Sequence, residues 1–115
     1  MNWFVYALIC PISHAVKYIG ITSHPLDYRL IVHMRETHNA EKAAWISLLK
    51  SQGLTPIIKE LERIHGTRAR AEQREEKYVL FCLALGFPLF NKNHVPGGKA
   101  EDYIAFLNSL AKTGF

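Results

Sequence analysis

Arg29 and His33 stand four residues apart in a segment with helical periodicity, so a permanent cation and a base suited to neutral pH share one helical face. A guanidinium offers a planar fork that matches phosphate oxygens. A neutral imidazole can take a proton near pH 7. Farther along, Glu72, Glu75 and Glu76 place carboxylates in a charged stretch, and carboxylates are the hard oxygen donors that suit Mg2+. Tyr6 and Tyr18 stand in two apolar runs. A phenol titrates near about 10, so it serves as a base only where cations lower that value. Each residue also has a plain structural alternative: a surface arginine, a structural histidine, a solvated glutamate, two core tyrosines. Cys10 and Cys82 lie far apart among apolar neighbours and read as reduced, buried thiols, and no Cys/His spacing resembles a zinc site.

These residues need elements to hold them. The 115 residues suit one domain, and 49% hydrophobic with 21% charged is a globular composition. Lys and Arg number 14 against 10 acids, a formal charge of +4, which favours a polyanionic partner. Residues 3–10 are apolar, but no Lys or Arg precedes them and Tyr6 and Pro11 interrupt the pattern, so a signal peptide is not expected. Residues 78–90 contain Gly86 and Pro88 and are too short to span a bilayer, which needs about 20 residues. The expectation is a soluble, intracellular protein.

Residues 3–10 and 16–21, rich in β-branched and aromatic side chains around a short polar break, predict a β-hairpin. From Leu26 the period changes, and residues 26–37 predict a short helix with Leu30, Ile31 and Met34 at helical spacing. Asn39 is the expected N-cap of a second helix over 40–52, with Trp45, Leu48 and Leu49 inward, Ala44 beside them, and Gly53 as the stop signal. Residues 55–64 suit helical spacing at least as well as alternation. Gly66-Thr67 opens a long helix to about Leu85, charged in its first half and apolar in its second, ended by Gly86. A last amphipathic helix fits residues 101–111. Strands first and helices after predict an α+β domain.

The segments Val5-Tyr6-Ala7-Leu8 and Tyr18-Ile19-Gly20 resemble the two halves of the GIY-YIG nuclease signature. The likeness continues in order through Arg29-Leu30 with His33, Glu75 before Tyr78-Val79, Leu89-Phe90-Asn91 and Gly97-Gly98. It covers residues 3–98, most of the chain. Phe4-Val5 replaces the family's Gly-Ile, and Ile21 stands where many members carry Lys. The resemblance implies a small three-stranded antiparallel sheet flanked by helices, with residues 56–63 as the third strand. That expectation overrules the local helical reading of 55–64, because tertiary context routinely outweighs propensity over ten residues.

The resemblance further implies a metal-dependent DNA endonuclease. Glu75 would hold Mg2+ or Mn2+, with Glu76 and Glu72 as fallbacks, and Arg29 would clamp the scissile phosphate. Tyr18, Tyr6 and His33 remain alternatives for the general base, with Tyr18 favoured. Gly20 and Asn91 would support the site. DNA contacts are expected from basic residues around the pocket, among them Lys17, Arg29, Arg35, Arg70 and Arg74, with Lys42, Arg68, Lys92 and Lys99 as further candidates. No readout module such as a helix-turn-helix is visible, so specificity is low or needs a homodimer or partner. A stand-alone domain of this size fits a cytoplasmic protein of microbial or phage origin. Two other readings stay open: a nuclease-like domain that binds nucleic acid without cutting, suggested by Ile21, and a small α+β protein-interaction module.

Overall fold

The computed structural model describes residues 1–91; Lys92, the Gly97-Gly98 turn, Lys99 and the helix expected at 101–111 lie outside them. Six elements occur among the described residues: β1 (Asn2–Ile9), β2 (Val16–Thr22), α1 (Leu26–Arg35), α2 (Ala40–Ser51), β3 (Ile57–His65) and α3 (Arg68–Ala84). The three strands make one antiparallel sheet in the order β2-β1-β3. The protein is therefore the expected α+β fold.

The central strand explains its own sequence. Val5, Tyr6, Ala7 and Leu8 are all fully buried, because helices cover both faces of the sheet. Val5 and Ala7 join Ile19 of β2, Ile64 of β3 and Ala71, Val79 and Cys82 of α3 in one apolar core. Tyr6 faces the other way and meets α1. Alternation thus sends Val5 and Ala7 to α3, and Tyr6 with Leu8 to the α1 and α2 side.

β3 settles the ambiguity over residues 55–64 in favour of a strand. Its pairing with β1 shifts between Val5↔Glu62 and Tyr6↔Glu60, which leaves Leu61 as the extra residue of a bulge. The bulge resets the alternation midway. Ile58, Leu61 and Ile64 consequently read as period three although the backbone is extended.

Caps match the sequence reading at two helices. The Asn39 side chain accepts from Lys42 N (3.2 Å) at the start of α2, and Thr67 accepts from Arg70 N (3.3 Å) at the start of α3. Gly53 and Gly86 take positive φ (72° and 85°) beyond the C-termini of α2 and α3.

Two helical faces differ from expectation. α1 ends at Arg35, with Glu36 already extended, and its fully buried residue is His33 rather than the apolar set, since Ile31 is 52% exposed. In α2 the inward stripe is Lys42, Ile46 and Leu49. Leu48 is 58% exposed, Ala44 is exposed, and Trp45 is half-buried against Phe90. The physical reason is shared: the face of the sheet met by α1 and α2 carries tyrosines, so polar side chains point inward to meet them. Among the described residues no helix is long and apolar enough to cross a membrane.

Candidate active site

β1 and β2 pair Tyr6 with Gly20, so the Tyr6 ring lies across the position where Gly20 lacks a side chain. A Cβ there would fall on the Tyr6 hydroxyl, 2.6 Å from Cζ and 3.0 Å from a ring carbon of Tyr18. Glycine is demanded by close approach, which lets the two tyrosines sit side by side. The His33 ring packs edge-on against both, with centroids 5.6 Å from Tyr6 and 5.3 Å from Tyr18.

Around His33 the polar groups are tightly bonded. Its Nε2 lies 2.6 Å from Tyr6 Oη, and its Nδ1 lies 2.8 Å from Lys42 Nζ. Arg29 Nε donates to Tyr6 Oη (3.1 Å), and Arg29 Nη1 donates to Glu36 Oε1 (2.8 Å). Lys42 Nζ donates to Glu36 Oε2 (2.8 Å) and sits 4.9 Å from the centre of the Tyr18 ring. Burial, then the cations Lys42 and Arg29, push His33 down to about 3, so its imidazole is neutral. Burial would raise Glu36, but the bonds from Lys42 and Arg29 prevail and hold it at about 2. Burial raises both tyrosines; Glu75 adds to the rise at Tyr18, while Arg29 pulls both down.

On the outer side of this network is a cleft of about 450 Å³ whose walls include Tyr18, Ile21, Arg29, Arg68 and Glu75. Glu72 and Glu76 complete its rim. Burial, then repulsion from Glu72, push the Glu75 carboxyl up to about 7, with Arg68 opposing and Glu76 adding to the rise. A carboxylate that is half-buried beside two others is a fitting partner for a divalent cation, which would offset both desolvation and repulsion. Among the described residues no three His, Cys, Asp or Glu side chains form a ready metal cage. Mg2+ fits such a donor set, since it keeps several waters and accepts one or two carboxylates. A second cleft of about 250 Å³ shares Ile21, Arg29 and Arg68 with the first and adds Trp3 and His24.

The structure thus gathers Tyr6, Tyr18, Gly20, Arg29, His33 and Glu75 from β1, β2, α1 and α3. Asn91 is close by and braces β2: Oδ1 accepts from Ile19 N (2.9 Å) and Nδ2 donates to Ile19 O (2.6 Å). Other expected DNA contacts lie elsewhere. Arg74 grips Glu62 of β3 with bonds of 2.9–3.1 Å. Arg70 feels Glu62 too, Lys17 stacks over Phe90, and Arg35 is exposed at the end of α1. Arg68 is the expected basic residue that joins Arg29 in the cleft wall.

Glu36 and the role of Lys42 escaped the sequence reading. Glu36 follows Arg29 and His33 at i+7 and i+3, a spacing that would have placed it on their face. Lys42, expected among the DNA contacts, is instead buried and begins the stripe completed by Ile46 and Leu49; a lysine is rarely buried unless paired, and its partners come from elsewhere in the chain. Compared with known proteins, the chain matches no family model, no curated protein and no solved structure.

Proposed function

We propose that this protein is a metal-dependent DNA endonuclease of the GIY-YIG type, acting in the cleft between β2, α1 and α3. The observation that carries the reading is convergence. Tyr18, Arg29 and Glu75, drawn from distant parts of the chain, line one cleft, and they are the residue types that phosphodiester hydrolysis needs.

Arg29 is the phosphate clamp. Tyr6 and Glu36 hold its Nε and Nη1 from behind, which leaves Nη2 outside those bonds. Preorganised donors of this kind favour charge that develops in the transition state. Tyr18 lines the cleft and is the proton acceptor for the attacking water. Neutralising Glu75 removes the largest charge that raises Tyr18, and Arg29 already acts to lower it. Glu75 is the residue that would hold Mg2+ or Mn2+, with Glu72 and Glu76 beside it. When bound, the ion supplies Lewis acidity at a phosphate oxygen. His33 has its two nitrogens engaged by Lys42 and Tyr6, which suits a supporting role better than that of free base.

DNA as the partner is supported by the net charge of +4 and by the adjoining cleft with Trp3 and Arg68, where Arg68 lies 5.6 Å from the Trp3 ring centre. A second reading, binding without cutting, rests on Ile21, which lines the cleft where the resembling family often carries Lys. Incubation with supercoiled plasmid separates the two. Expected is nicking that requires Mg2+ or Mn2+ and falls by at least about 10²-fold in Glu75→Ala. Salt-sensitive DNA binding with no nicking in either metal would establish the second reading instead.

A further inference from the structure

Lys42 is 1% exposed, and its ammonium carries three hydrogens. Three acceptors surround it: Glu36 Oε2 at 2.8 Å, His33 Nδ1 at 2.8 Å, and the face of Tyr18 at 4.9 Å from its centre. That inventory is complete. It also closes a ring of hydrogen bonds running from Lys42 to His33, Tyr6, Arg29, Glu36 and back to Lys42.

The hydrogens of the ring can be assigned in one way. Lysine and arginine in their charged forms have hydrogens to give and no lone pair to accept with. Lys42 therefore donates to Nδ1 of His33, and a neutral imidazole that accepts at Nδ1 carries its hydrogen on Nε2. Nε2 then donates to Tyr6 Oη, which also receives Arg29 Nε–H. Glu36 closes the circuit by accepting from Arg29 at one oxygen and Lys42 at the other. A hydrogen on His33 Nδ1, donated to Lys42, would need an uncharged lysine 2.8 Å from a carboxylate.

We propose that Lys42 is a positioning residue: by closing this ring from inside the fold, it holds His33 as the Nε2–H tautomer and, through Tyr6 and Glu36, fixes the guanidinium of Arg29 at the cleft. The effect on turnover rests on the nuclease reading; the tautomer does not.

The test is a long-range 15N–1H correlation spectrum of the histidine rings in the full chain. His33 is expected as a single Nε2–H tautomer that does not titrate between pH 8 and pH 5. A His33 found as the Nδ1–H tautomer, or as imidazolium, overturns the proposal without any variant being made. Lys42→Met is then expected to release His33 into a mixture of tautomers and to lower kcat for plasmid nicking by about 10²-fold. An unchanged tautomer and unchanged kcat in a folded Lys42→Met protein would overturn it as well. If the wild-type protein shows the Nε2–H tautomer but nicks no DNA, the ring stands and the nuclease reading falls.

Discussion

Gly20 shows how one absent carbon organises the site. Its partner across the ladder is Tyr6, whose ring occupies the space a side chain would need. Tyr6 cannot yield, because it is fully buried and bonded to both His33 and Arg29. Gly20→Ala is therefore expected to destabilise the fold by about 1–3 kcal/mol, as overpacking does. Urea denaturation measures this. Adding Tyr6→Phe removes the hydroxyl that the new methyl meets, so the double variant should lose less than the sum of the two single losses. Strict additivity would show that Tyr6 does not press on Gly20. At this scale the residue types alone were weak signals, since each has a plain structural use; the order and spacing of Tyr-Ile-Gly, Arg29 with His33, and Glu75 in the family resemblance are what singled them out. The sequence was uninformative for Lys42, whose burial depends on three partners from other elements.

Elements were legible where periodicity and caps agreed, as in α3 with Thr67 before it and Gly86 after it. Local periodicity misleads where a tertiary feature alters the period. The Leu61 bulge makes β3 look helical, and the polar lining of the sheet turns Lys42 rather than Leu48 inward. The exposed edge of β2 brings a further consequence. An edge strand presents unpaired backbone groups, and here residues 90 and 91 cover them: Phe90 N donates to Lys17 O (2.7 Å), and the Asn91 amide pairs with both polar groups of Ile19. Asn39, the cap of α2, donates to Phe90 O (2.8 Å) and ties this strap to the helix. Asn91→Ala leaves the Ile19 N–H and C=O without those bonds. The expected cost is about 1–3 kcal/mol, with hydrogen exchange at the Ile19 amide becoming fast while the β1–β2 ladder amides stay protected. An Ile19 amide still slow in the variant would show that the strap holds without its asparagine.

For the molecule as a whole, the site's charges set how stability responds to pH, and their signs oppose. His33 in the fold sits at about 3 against an ordinary 6.5, so the unfolded chain binds that proton first. Its contribution is whole above pH 6.5 and declines as pH falls toward 3. Glu36, held at about 2 against 4.5, acts in the same direction at lower pH: its contribution is whole above 4.5 and is lost toward 2. Glu75 does the reverse. Raised to about 7 from 4.5, it contributes fully below 4.5 and loses that contribution as pH rises through 7. Between pH 4.5 and 6.5 the unfolded chain gains a proton at His33 while the folded chain keeps one at Glu75, and the two slopes nearly cancel. In EDTA, wild-type stability is therefore expected to be flat across that interval and to fall steeply below it, where His33 and Glu36 act together. Glu75→Gln removes the opposing slope. Its stability should climb with pH across the same interval by on the order of 1 kcal/mol per pH unit. Parallel profiles for the two proteins would mean that Glu75 titrates as an ordinary surface carboxylate. In that case the cleft would lack the desolvated carboxylate on which the metal-binding argument depends.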